Sequence, residues 1–116
     1  MDIYINEIKY ENDTLKCYVE NDLTNKTLIS TEQMIVDSDN FTIIYILDDG
    51  EEYIRTHFVS ETWEMLARYY NKTVTVNDQV ELKEFFTELD VLLDNIKDNS
   101  NYGKEFEGKI VETFAI

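Results

Sequence analysis

The run Met34-Ile35-Val36-Asp37-Ser38-Asp39-Asn40-Phe41-Thr42-Ile43-Ile44-Tyr45-Ile46-Leu47-Asp48-Asp49-Gly50-Glu51-Glu52-Tyr53-Ile54-Arg55-Thr56-His57-Phe58 decides the fold. Within it, Phe41, Ile43, Tyr45 and Leu47 share one face at period two, while Thr42, Ile44 and Ile46 fill the other. A strand apolar on both faces belongs in the middle of a sheet whose two sides are covered. Its β-branched and aromatic residues suit that pleated, buried surface. Before it, Asp37 to Asn40 carry short polar side chains that favour a turn. After it, Asp48-Asp49-Gly50 offers the positive φ angles of a tight hairpin. The expected return strand, Glu51 to Val59, puts Glu52, Ile54, Thr56 and Phe58 on one side, with Tyr53, Arg55, His57 and Val59 on the other.

Outward from this centre, Ile3, Ile5 and Ile8 change phase after Ile5, which predicts a bulge. Glu11-Asn12-Asp13 is a turn, followed by a strand with Leu15, Cys17 and Val19 inward. On the C-terminal side, Ser60 can cap a helix carrying Trp63, Leu66 and Tyr70 on one face and Met65 and Tyr69 beside it. Residues 73–76 and 79–82 form a hairpin around Asn77-Asp78. Leu82, Phe85, Phe86, Leu89, Leu92, Leu93 and Ile96 recur at helical spacing, which predicts a helix over 83–97, broken by Asp98-Asn99-Ser100-Asn101. Gly103 then precedes a last helix with a Tyr102, Phe106, Ile110, Phe114 stripe. The expected fold is α+β: one domain over 1–116, strand-rich to residue 59 and helix-rich beyond it. Its sheet is antiparallel with about five to seven strands, and three helices lie mostly on one face.

The chain of 116 residues carries a formal charge of −15, spread over both halves. That balance opposes direct nucleic-acid binding, which needs Lys and Arg against phosphates, and opposes anionic membrane surfaces. No apolar run approaches the ~20 residues of a membrane helix, and the first residues lack a signal-peptide core, so a cytoplasmic protein is expected. Cys17 and His57 are single, so neither an internal disulfide nor a Cys/His zinc set can form. Cys17 is placed in the core.

Several constellations invite chemistry. Asp37-Ser38-Asp39-Asn40 opens like a calcium loop, but Phe41 and Thr42 stand where a further oxygen ligand and a glycine are required. The acidic tip around Gly50 reads as a solvated hairpin end, and the three glycines fit no phosphate loop. No metal or cofactor is expected. Arg55 and His57 are the most chemical pair, able to hold an anion or supply a base, though a half-exposed strand face accounts for them equally. Trp63, Tyr69, Tyr70 and Tyr102 are candidates for an interaction surface, since Trp and Tyr anchor many interfaces; core packing is the competing account.

Val36 to Asn40 with Tyr45-Ile46-Leu47, then Thr62-Trp63, Asn77-Asp78 before the acidic Leu/Phe helix, and Asn101-Tyr102-Gly103-Lys104-Glu105 form an ordered set. In this set the chain resembles a small family of bacilli and staphylococci, numbered 0738 among the uncharacterised protein families. The resemblance spans nearly the whole chain and is loosest over the first 30 residues. It implies a single-domain cytoplasmic protein of a Gram-positive bacterium, and it carries over no catalytic residue. The expected function is a non-enzymatic binding or accessory module acting through a protein partner, with monomer and homodimer both open. One alternative is an acidic DNA mimic that inhibits a nucleic-acid-binding protein; the other is an enzyme using His57 with nearby carboxylates.

Overall fold

The computed structural model describes residues 1–97 and 99–116; Asp98, first residue of the expected helix-breaking run, lies outside the described residues. The strands are β1 (Asp2–Tyr4), β2 (Glu7–Glu11), β3 (Thr14–Tyr18), β4 (Ile29–Asp37), β5 (Thr42–Asp48), β6 (Tyr53–Val59), β7 (Thr73–Val76) and β8 (Val80–Glu81). The helices are α1 (Trp63–Arg68), α2 (Phe85–Lys97) and α3 (Lys104–Phe114). Single 3-10 turns at Ser60–Thr62 and Ser100–Tyr102 lead into α1 and α3.

The fold is α+β, but the single antiparallel sheet expected from the sequence is replaced by two mixed four-stranded sheets. Their strand orders are β1-β6-β5-β4 and β2-β3-β7-β8. Each contains one parallel pair, β1 with β6 and β3 with β7. Parallel partners lie far apart in sequence and leave no local turn signature, so hairpin reading could not find them. The phase change after Ile5 is not a bulge. It is where the chain leaves one sheet for the other, the Ile5 amide bonding the His57 carbonyl at 3.0 Å and the Asn6 amide the Tyr18 carbonyl at 3.0 Å.

β5 is the central strand, buried from Thr42 to Leu47. Phe41 stands outside it at φ 55°, in the preceding turn, and its ring meets the edge of Phe106. The return strand begins at Tyr53, two residues later than expected, because the reversal is a four-residue loop closed by Asp48 opposite Tyr53. Two aspartates build that loop: Asp48 accepts from the Gly50 amide at 2.7 Å, and Asp49 accepts from the Glu51 and Glu52 amides at 2.9 and 2.8 Å. The Glu52 and Glu51 amide bonds favour the ionised form of Asp49 and hold it down to about 2. Gly50 supplies the positive φ of 92°.

On the inner face, Ile43, Tyr45 and Leu47 line up with Phe58, Thr56 and Ile54 of β6 and with Val36, Met34 and Ser30 of β4. This face joins Leu15, Cys17, Val74 and Val76 of the second sheet and Trp63, Leu66, Phe85, Leu89 and Phe106 of the helical part in one core. Each large apolar side chain so buried contributes about 1.5–3 kcal/mol. The Tyr45 hydroxyl donates to the Lys83 carbonyl at 2.6 Å, accepts from the Glu32 amide at 3.1 Å and meets the Ser30 hydroxyl. It thereby ties the β4 bulge between Ser30 and Gln33 to the chain entering α2.

Ser60 does not cap α1; its hydroxyl donates to the Glu61 carboxylate at 3.1 Å, and a 3-10 turn starts the helix instead. α3 packs on α1 and α2, with Phe106 meeting Trp63 edge-on. No helix of the described residues is long and apolar enough to cross a membrane.

Candidate functional site

The alternation Tyr53, Arg55, His57, Val59 opposite Ile54, Thr56, Phe58 puts the first group on the outer face of the first sheet. Register carries that face across four strands. Tyr4, His57, Ile44 and Ile35 form one row; Asp2, Arg55, Ile46 and Gln33 form the next; Tyr53, Asp48 and Ile29 form a third. This face is open to solvent: Tyr53 is 63% exposed, Tyr4 52% and Ile35 48%. The expectation that β5 is covered on both sides is therefore corrected. Ile44 and Ile46 are buried by side chains of their own sheet face rather than by a second layer. Of the eight exposed large apolar side chains among the described residues, Tyr4, Ile29, Ile35 and Tyr53 lie on this face and Met1 borders it.

Toward its β1 edge sits a polar knot. Asp2 receives Arg55 Nε at 2.7 Å and a second guanidinium nitrogen at 2.8 Å, while His57 Nε2 lies 2.7 Å from the same carboxylate. His57 Nδ1 lies 3.2 Å from the Thr42 hydroxyl, and Tyr4 stacks on the imidazole with ring centroids 4.4 Å apart. The Arg55 hydrogen bond, and after it that of His57, holds the Asp2 carboxyl well below the usual carboxylate range. Asp2 in turn raises Arg55. The sequence reading paired Arg55 with His57 but missed Asp2, which is 53 residues away and reaches β6 only through the parallel pairing. Two open depressions flank the knot, about 520 Å³ beside Tyr4 and Ile35 and about 420 Å³ beside Ile46 and Tyr53.

Chemically, this arrangement fixes β1 to β6. His57 is 6% exposed, with both ring nitrogens engaged inside the chain. Thr42, the one hydroxyl on the imidazole, is itself buried and lines neither depression. A general base must come within hydrogen-bond reach of a substrate proton; His57, Asp2 and Arg55 line the larger depression, but both imidazole nitrogens are engaged by Thr42 and Asp2. The Asp37 carboxylate is bonded by Asn40 through its amide at 3.3 Å and side chain at 2.8 Å, forming the turn before β5. Among the described residues, no three metal-ligating side chains gather at one point.

The aromatic candidates separate. Trp63 is fully buried, its Nε1 donating to the Phe58 carbonyl at 2.8 Å, so as an interaction residue it is corrected to a core residue. Tyr69 stacks on Tyr10 with centroids 3.9 Å apart, and Tyr102 lies 6.2 Å from Phe106; both are half-buried. The Tyr70 hydroxyl donates to Asp90, and burial together with that carboxylate raises its pKa. None of the four belongs to the open sheet face. Tyr4 and Tyr53, which do, carried only the signal of alternation with buried neighbours. Cys17 is buried, and burial pushes its thiol far above the ordinary value.

The model of a family of unknown function, UPF0738, matches residues 3–114. A UPF0738 protein of Staphylococcus aureus strain bovine RF122 / ET3-1 is 53% identical over all of this chain and 99% of its own length. One from Staphylococcus aureus strain Newman is 51% identical over the same shares. No solved structure matches. With its fold laid over the same span that the family model covers, the chain belongs to the UPF0738 family of unknown function.

Proposed function

We propose that this chain is a small non-enzymatic binding module of the cytoplasm, working through protein contacts made by the outer face of the β1-β6-β5-β4 sheet. The observation that carries the reading is the concentration of exposed apolar side chains there, Tyr4, Ile29, Ile35 and Tyr53 with Met1 beside them. Solvent-facing sides of sheets are ordinarily polar, and contiguous apolar patches mark interaction sites. The Asp2–Arg55–His57 knot makes the β1–β6 side of the patch rigid, a preorganisation that lowers the entropy lost on docking.

The partner that fits is a protein with an apolar patch ringed by Lys and Arg. Glu32, Asp37, Asp48, Glu51 and Glu52 lie along or beside this face. A second copy would set −15 against −15 and is disfavoured by charge.

The test is capture from native cytosol at low and high salt, with wild type, Ile35→Ser/Tyr53→Ser, and Glu20→Gln/Glu81→Gln as a charge control. The reading expects one partner retained at high salt, lost by the face variant and kept by the control. Capture that survives the face variant but disappears with salt would favour the acidic mimic instead.

A further inference from the structure

A groove of about 530 Å³ lies among the helices, between Ala67 of α1, Tyr70, α2 and the end of α3. Buried Leu93, half-buried Ala67 and Phe114, and exposed Ile116 make its apolar lining. Asp90 and Asp94 also line it, four residues and so one helical turn apart on the same side of α2. Tyr70 donates its hydroxyl to Asp90 and fixes that carboxylate. Among the described residues, no lysine or arginine forms an ion pair with either carboxylate. Like charges one turn apart on a helix repel, so the pair is left for a cation from outside to neutralise.

We propose that this groove docks a lysine-bearing apolar segment of a partner protein. A lysine stem lies along apolar surface while its ammonium stays at the polar rim. Here the stem would follow Leu93 and Phe114 and the ammonium would bridge Asp90 and Asp94, beside the aromatic face of Tyr70. The requirement for both an apolar stem and a positive head distinguishes this groove from the diffuse acidic surface.

The probe is a synthetic 12-residue amphipathic Leu/Lys peptide, titrated calorimetrically while the amides of Ala67, Leu93 and Asp94 are followed by NMR. Asp90→Asn/Asp94→Asn should weaken binding about tenfold, as expected when close charge pairs are removed. Glu20→Gln/Glu81→Gln, the same charge change at exposed positions outside the groove lining, should leave binding unchanged. A peptide with every Lys replaced by Gln should bind at least tenfold more weakly. Equal weakening by both double variants, equal binding of the neutral peptide, or the same amide shifts from spermidine alone would each overturn the proposal. The sheet face takes no part in this titration, so failure here leaves the sheet-face reading standing, and the converse holds.

Discussion

The two faces of the β1-β6-β5-β4 sheet are built from alternate residues of the same strands, yet they meet different demands. Inward, Ile43, Tyr45, Leu47, Ile54 and Phe58 are fully buried and reach across to helices and to the second sheet. Outward, Ile44 and Ile46 are buried only by their neighbours, and Tyr4, Ile35 and Tyr53 stand in water. Apolar side chains thus occur on both sides, but Tyr4, Ile35 and Tyr53 on the outside gain little burial on folding. The difference teaches that apolar content does not by itself mark a core, and it is the exposed outer groups that motivate the proposed contact with a partner.

Substitutions on matched positions sharpen the contrast. Phe58→Ala, on the inner face, should cost about 3–5 kcal/mol in denaturant unfolding, because it removes an aromatic ring and leaves a cavity. Ile44→Asp, on the outer face and 4% exposed, should cost about 3 kcal/mol, since it puts a carboxylate at a buried apolar position whose cationic neighbours are already engaged by Asp2. Near-normal stability of that variant would mean that residue 44 is freely solvated.

Asp2→Ala should cost about 1 kcal/mol by freeing β1 from Arg55 and His57. Asp2 and Asp49 have folded-state pKa values below their ordinary values. Their contribution is therefore complete above the unfolded value of 3.8 and is lost as pH falls; for Asp49 the loss runs from there through about 2. Stability against pH should fall through that window in wild type and less steeply in Asp2→Ala. At the small end, Thr56→Val should stabilise by about 1 kcal/mol, because the Thr56 hydroxyl is buried on the inner face without a hydrogen-bond partner among the described residues. A loss of stability there would point to an ordered water on that hydroxyl.

How far these faces were legible in the sequence follows from the range of each interaction. Alternation in β5 and β6, the Asn77-Asp78 turn and the period of α2 are local, and the chain carries them openly. Asn77 and Asp78 take the positive φ angles, 51° and 55°, that such a turn requires. The split into two sheets was hidden, because β1 with β6 and β3 with β7 are joined across more than 50 residues. Its one local trace, the phase change at Ile5, has the same pattern as a bulge. Whether the outer face of β5 was covered could not be read either, since Ile44 and Ile46 are apolar in both cases. The knot was half legible: Arg55 and His57 share a strand face, but Asp2 joins them only through the parallel register.

The central claim is that the outer sheet face meets a partner. A photo-crosslinking residue at position 35 or 53, set against position 20, tests it most directly in living cells. Positions 35, 53 and 20 are all exposed, and position 20 lies outside both the sheet face and the helical groove. The account predicts one discrete crosslinked product from 35 and from 53 and none from 20. Equal, diffuse labelling from all three positions would contradict it.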